Sequence, residues 1–260
     1  MNETIPAKLH LGDHTITHDI IPQGVTALGD WAYAHCRSLS MVALPSSVKQ
    51  LGRDVFLGCD GLWQVYCYAE PVFPGALPSE DPPYLAACLN AYAMRCFPDP
   101  LPLLFSADPP LPKTLALWDE NCLFFCQQPP DLTFRPFLAG GEEDYTEGED
   151  QYDAHLRGQN RLRAGMLYLR LLLDRISCFP FQDEKRELFF SLFRSNPEAL
   201  SLLSQISSHH HESVALYKEA GLLSPETLPA IIASLPPSRV EMKAALLSLQ
   251  SGSILDALSL

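Results

Sequence analysis

Few residues in this chain combine a reactive type with a spacing that chemistry can use. His209, His210 and His211 stand in a row before Glu212, and imidazoles with a carboxylate are common zinc ligands. Consecutive helical residues point about 100° apart, however, so the three rings cannot close on one ion. No second ligand pair lies at a matching turn, and a hydrated helix start is the expectation. His10, His14 and His18 fall at even spacing, which on strands would set them on one face of a pleat. Without a neighbouring Cys or carboxylate pair, they are read as surface histidines. Cys122 and Cys126 are four apart, which is one helical turn and not the C-x-x-C of zinc or redox sites, so core packing is expected. No G-x-S-x-G, H-E-x-x-H or S-x-x-K stands in a convincing setting. Gly140 and Gly141 lead into acidic residues that would repel phosphate. No residue is therefore assigned a catalytic, cofactor-binding or metal-binding role, and no cofactor is expected.

The acidic residues are the remaining chemical candidate. Glu142, Glu143, Asp144, Glu147, Glu149, Asp150 and Asp153 place seven carboxylates within 12 residues. Their order does not follow the ligand alternation of an EF-hand, although calcium stays open. Arg157, Arg161, Arg163, Arg170 and Arg175 follow directly. An acidic loop at a helix N-terminus with arginines toward the C-terminus suits the helix macrodipole. Charge matching within the chain is the first reading of this loop, with partner docking and metal binding as alternatives.

Composition narrows the partners. The 260 residues carry a net charge of −13, which repels phosphate backbones and anionic headgroups, so neither nucleic acid nor membrane is expected. The N-terminal MNETIPAKLHLGD lacks the basic and apolar regions of a signal peptide. No uninterrupted apolar stretch of about 18 residues is found. Eight cysteines in this length are too sparse for a disulfide scaffold and are expected to be reduced and mostly buried.

The elements that must position any site begin with an internal repeat. Ile21 to Ala43 and Leu44 to Tyr66 are successive 23-residue units. Aligned without a gap, they repeat Pro22/Pro45, Val25/Val48, Leu28/Leu51, Gly29/Gly52, Cys36/Cys59, Leu39/Leu62 and Val42/Val65, with aromatic Tyr33/Phe56. A fixed period of this length predicts a solenoid in which each turn buries its apolar face against its neighbours. Short strands are expected around Val25 to Leu28 and Leu39 to Val42, with a helical turn over Asp30 to Cys36 and tight bends at Gly29 and Gly52. Residues 1 to 20 read as a strand pair around a turn at Gly12, Asp13 and His14 that starts the stack.

The pattern P-x-x-V-x-x-L-G-x-x-A-F-x-x-C-x-x-L-x-x-V over residues 21 to 68 resembles the BspA-like class of bacterial leucine-rich repeats. Tyr33 stands where that class has Phe and Val55 where it has Ala, and few copies are present. The segment 208 to 250 is similar to the helix pairs of ankyrin-type repeats, with Glu212, Ala215 and Leu216 echoed by Glu241, Ala244 and Ala245. The combination resembles proteins of Gram-positive gut bacteria that carry no assigned activity, which implies a cytoplasmic bacterial protein.

Residues 71 to 136 hold 14 of the 23 prolines and read as an irregular connecting segment. It contains one helix, started by Asp81 and Pro82 and keeping Leu85, Cys88, Leu89, Tyr92 and Cys96 on one face. Leu115 to Phe125 fits helix or strand. From Asp153 the chain reads as helices. Leu162, Met166, Leu169, Leu173 and Ile176 form a stripe on a helix of about 22 residues. Further helices are expected over 182–194, 197–207, 210–220, 225–234 and 239–249. Their ends are marked by Asn196 before Pro197, Ser224 before Pro225, Gly221, and a capping box of Ser238 with Glu241.

The expected fold is therefore α+β: a short N-terminal leucine-rich-repeat β-solenoid (1–70), a Pro-rich irregular capping segment (71–152), and an all-α helical-hairpin domain (153–260) that covers it. The expected function is a non-catalytic protein–protein interaction module. An enzyme with a composite site between the two parts is the alternative, as is a small-ligand or calcium sensor using the acidic loop 142–153.

Overall fold

The computed structural model describes residues 3–68, 83–96, 112–130, 145–176, 179–181, 184–206 and 209–258. They fall into two compact units, 1–121 with 177–182 and 122–176 with 183–260.

In the first unit the 23-residue period sets the strand register. Strands β1 (Glu3–Ile5), β3 (Val25–Leu28) and β5 (Gln50–Leu51) form one parallel sheet. Strands β2 (His18–Ile20), β4 (Met41–Pro45) and β6 (Gln64–Tyr68) form a second. His18 lies opposite Met41 and Met41 opposite Gln64, a step of 23 residues each time. Leu28 likewise lies opposite Ile5 and Leu51. Three passes of the chain thus bury equivalent residues on one another, and Val25, Leu28, Tyr33, Cys36, Leu39, Val42, Phe56, Cys59, Leu62 and Val65 share one core.

Helix α1 (Pro83–Cys96) covers the outer face of the second sheet. Met41, Ala43 and Tyr66 on that sheet meet Ala87, so β4 is buried on both faces. Asn90, fully buried on α1, donates from Nδ2 to the Val65 carbonyl at 3.1 Å and so satisfies the amide it takes out of water. Helix α2 (Pro112–Gln127) follows, and the division between the units falls within it.

The second unit contains α3 (Tyr145–Arg175), α4 (Lys185–Ser195), a 3-10 turn (Leu200–Ser204), α5 (His210–Glu219), α6 (Leu228–Ser234) and α7 (Val240–Leu258). Tyr168, Phe193 and Tyr217 form an aromatic centre with ring centroids 5.2 to 6.5 Å apart. The polar tips of both tyrosines are satisfied: the Tyr168 and Ser213 hydroxyls are bonded at 2.8 Å, and the Tyr217 hydroxyl donates to the Ala199 carbonyl at 2.7 Å. The C-terminus of α5 is closed by Gly221 in the left-handed region (φ +72°). There the Gly221 N–H donates to the Lys218 carbonyl and the Leu222 N–H to the Tyr217 carbonyl, a Schellman pair. Asn196 accepts the Glu198 N–H, and Ser224 and Thr227 exchange bonds, but these contacts precede the helices: the segment expected as a helix over 197–207 is a 3-10 turn that starts at Leu200, and the helix expected from 225 starts at Leu228, neither with a side-chain cap.

The expected fold class is corrected. Instead of an α+β leucine-rich-repeat β-solenoid capped by an all-α helical-hairpin domain, the described residues form an α/β mix of two three-stranded parallel sheets and seven α-helices. Helices α1 and α2 arise inside the Pro-rich stretch because Pro83 and Pro112 occupy first helical positions, where proline's missing N–H costs nothing. Asp81 and Pro82, the expected helix start, lie outside the described residues. Among the described residues, 3 to 20 form no hairpin. Strands β1 and β2 pair with β3 and β4, making this segment a further pass of the same 23-residue course. Gly29 and Gly52 are not left-handed bends. A Cβ on Gly52 would stand 2.5 Å from the Asp30 nitrogen, so glycine is required by the close approach of successive passes. Helix α3 has no single buried stripe, since every residue from Arg163 to Leu173 is buried. Glu241 turns to His210 (Nδ1 to Oε2, 3.3 Å) rather than back to Ser238.

A candidate protein-docking face on the first unit

Between the two sheets the chain runs over three arcs, residues 7–17, 30–40 and 53–63, tied to one another by backbone bonds. The N–H groups of Lys8, His10 and Gly12 donate to the carbonyls of Asp30, Ala32 and Ala34 at 2.8 to 3.0 Å. Those of Trp31, Tyr33 and His35 donate to Arg53, Val55 and Leu57 at 2.6 to 3.0 Å. Left-handed residues recur in register: Lys8, Trp31 and Asp54 (φ 60°, 54° and 52°), then Gly12, His35 and Gly58 (φ 72°, 62° and 68°). A non-glycine residue held there costs about 1–2 kcal/mol, and the bonds between arcs on either side hold it in place.

The inner sides of the arcs form a column. His10 stacks on Tyr33 at 5.0 Å and Tyr33 on Phe56 at 5.5 Å. The Cys36 thiol donates to the His10 carbonyl at 2.9 Å and the Cys59 thiol to the Tyr33 carbonyl at 3.0 Å. The Tyr33 hydroxyl donates to Asp19 at 2.6 Å. Burial first, and then Asp19, push the Tyr33 hydroxyl well above the ordinary tyrosine range. Burial also pushes the Cys36 thiol up. A cysteine, a histidine and a carboxylate thus meet in this column, but each is engaged in packing, and the thiol is turned away from the thiolate a nucleophile needs.

The outer sides of the arcs are different. Lys8 Nζ lies 5.2 Å over the Trp31 ring. On the third arc Leu57 is 46 % exposed and Trp63 is 64 % exposed. The Trp63 backbone is fixed by its N–H bond to the Ser40 carbonyl at 3.1 Å. Its register equivalents are Ser40 and Thr17, whose backbones are joined by the same kind of bond. A large aromatic therefore replaces small hydroxyl residues at an outward position. A rigid, half-apolar ring with one N–H donor is a typical protein-interface anchor. Reading the sequence for reactive groups passes over Trp63. The replacement of Thr17 and Ser40 by Trp in the aligned passes is the signal that would have found it.

The chemical candidates of the sequence do not converge. His209 is left-handed (φ +52°) before α5, His210 meets Glu241, and His211 is exposed. His10 is stacked on Tyr33 and only His18 lies in a strand, bonded through Nδ1 to the Thr17 hydroxyl at 3.1 Å, so His10, His14 and His18 do not share a pleat. Cys122 is buried on α2. Of the acidic run, Glu142, Glu143 and Asp144 lie outside the described residues, and from Tyr145 the chain is already α3. Arg161 pairs with Glu198 at 3.2 Å, Arg175 with Glu219 at 3.1 Å, Arg163 lies 5.0 Å over the Phe125 ring, and Arg170 is fully buried. Among the described residues no group of three or more His, Cys, Asp or Glu side chains is placed to hold a metal ion, and no helix is long and apolar enough to cross a membrane. Comparison with known proteins found no matching family model, no matching curated protein and no matching solved structure.

Proposed function

We propose that this chain is a non-catalytic interaction module that docks another protein through the outer face of arc 53–63. The observation that carries the reading is Trp63, 64 % exposed on a backbone held by its bond to Ser40. An aromatic anchor whose backbone is already held has only its side-chain torsions to order on docking, and truncating such a residue typically costs about 2 kcal/mol or more of binding energy. Leu57, on the same arc, is also an exposed apolar residue. The cytoplasm is the compartment assigned, supported by the reduced Cys36 and Cys59 thiols donating to carbonyls.

The test is a photoreactive residue at position 63, with an equivalent at exposed Gly158 on α3 as control. A discrete protein adduct from position 63 alone is expected. Affinity for the captured protein should fall about 30-fold in Trp63→Ala, the equivalent of about 2 kcal/mol. No adduct at 63, or the same adducts from both positions, removes the reading.

A further inference from the structure

The parallel stack of the first unit is closed at its third pass and open at its first. At the third pass Asn90 on α1 donates to the Val65 carbonyl at 3.1 Å, Ala91 joins the core, and Val55 and Phe56 are 4 % and 1 % exposed. At the first pass β1 and β2 are edge strands, each paired on one side alone. Leu9 is 50 % exposed and Leu11 46 %, whereas their register equivalents Ala32 and Ala34 are fully buried.

Backbone polarity decides what this open end can accept. Each pass donates to the one after it: Lys8, His10 and Gly12 to the carbonyls of Asp30, Ala32 and Ala34, then Trp31, Tyr33 and His35 to those of Arg53, Val55 and Leu57. The equivalent carbonyls of the first pass belong to Ala7, Leu9 and Leu11, and among the described residues they accept no such bond. Every N–H from Lys8 to Asp13, in contrast, is bonded within the arc or to the second pass. The arc therefore offers acceptors at three alternate residues and no donor. The middle donor of each row, His10 and then Tyr33, is also the residue whose ring stacks on the next pass. His10 has Tyr33 at 5.0 Å on one face, and among the described residues no second ring stacks on it.

We propose that this end is a docking site for an extended segment of another protein, which adds as a further pass, donates N–H groups from three alternate residues and sets an aromatic ring on His10. A row of acceptors selects a row of donors, as in strand addition to a sheet edge. A second copy does not supply one. Two first passes would meet carbonyl to carbonyl, and the donor row of matching register, Asp54, Phe56 and Gly58, lies at the closed end. The site is on the first pass and is independent of the Trp63 face on the third.

The probe is a labelled synthetic peptide of residues 21–43, whose Trp31, Tyr33 and His35 N–H groups form such a donor row within the chain. Saturable binding to the full chain is expected in fluorescence anisotropy. Methylating the peptide's Tyr33 amide nitrogen, or replacing that residue by glycine, should weaken it about tenfold. Leu9→Asp with Leu11→Asp in the full chain, checked for an unchanged circular dichroism spectrum, should weaken it about tenfold or more. Trp63→Ala should bind the peptide as the parent does. Absence of saturable binding, equal binding of the methylated peptide, or loss of binding in Trp63→Ala would overturn the proposal. So would dimerisation in sedimentation that the two leucine substitutions abolish, because a second copy would then occupy the end.

Discussion

Replacing Gly52 by alanine tests the close approach of the passes in the first unit. An added Cβ would lie 2.5 Å from the Asp30 nitrogen and 2.6 Å from the Gly29 carbonyl carbon. Ordinary contact begins at 3.4 Å, so the passes must part locally by 3.4 − 2.5 = 0.9 Å. Two bonds span this gap, Gly52 N–H to the Leu28 carbonyl and Arg53 N–H to Asp30 Oδ1, both 2.8 Å. Opening by 0.9 Å takes each to 3.7 Å, beyond hydrogen-bond range. Two lost bonds at about 1 kcal/mol each and overpacking of about 1–3 kcal/mol oppose a gain of about 0.4–1 kcal/mol from the stiffer unfolded chain. The net loss is about 3 kcal/mol, or on the order of 10 °C in melting temperature. All three tryptophans, Trp31, Trp63 and Trp118, belong to the first unit, so tryptophan fluorescence during urea or thermal unfolding isolates the affected unit. Gly158→Ala is the control. It is exposed on α3 in the second unit with open space around it, so it should leave the tryptophan transition unchanged while stabilising the second unit by about 0.5–1 kcal/mol, read by far-ultraviolet circular dichroism. A Gly52→Ala protein as stable as the parent would refute the packing argument.

Three further perturbations probe separate features. Tyr33→Phe removes the bond to Asp19 and should cost about 1 kcal/mol by tryptophan fluorescence. Because the folded state raises the Tyr33 pKa, that residue's contribution is complete below about pH 10 and is lost above it, so the variant should show a flatter alkaline limb of stability; an unchanged limb counts against the assignment. Glu219 is held below the ordinary glutamate range by its bond to Arg186, with the Arg186 and Arg175 charges adding to it. Its contribution is therefore present above about pH 4.5 and fades as pH falls through the lowered value, so Glu219→Gln should flatten the acid limb followed by far-ultraviolet circular dichroism. These side chains are more than one-third exposed, so screening limits the effect to about 0.5–1 kcal/mol, and an acid limb as steep as the parent's would exclude the role. Gly221→Ala puts a Cβ on a left-handed residue whose nearest neighbour is Arg194 Nε at 3.7 Å. The loss should be about 1–2 kcal/mol from backbone strain alone, and a neutral effect would mean that the α5 terminus is not closed as described.

The sequence by itself determined the register of the first unit and the end of α5. Passes of equal length bring equivalent residues opposite one another, so Cys36 and Cys59 make the same bond one pass apart, and the gapless alignment already contains that geometry. Gly221 closes α5 through bonds within a few residues, which is why local chemistry suffices to read that end, whereas the helices marked by Asn196 and Ser224 start three or four residues later. Tertiary structure decided the rest. The first 20 residues keep the course of the repeat while losing most of its residue types, because an outer pass needs fewer buried side chains. Arg170 sits fully buried on a helix whose periodicity marks only one apolar stripe, since burial follows from what surrounds a helix as well as from its own pattern. Exposure of Trp63 and of Val240 belongs to the same class of fact. An apolar residue carries no mark of whether a neighbour covers it, and only the placement of distant segments settles which faces meet water.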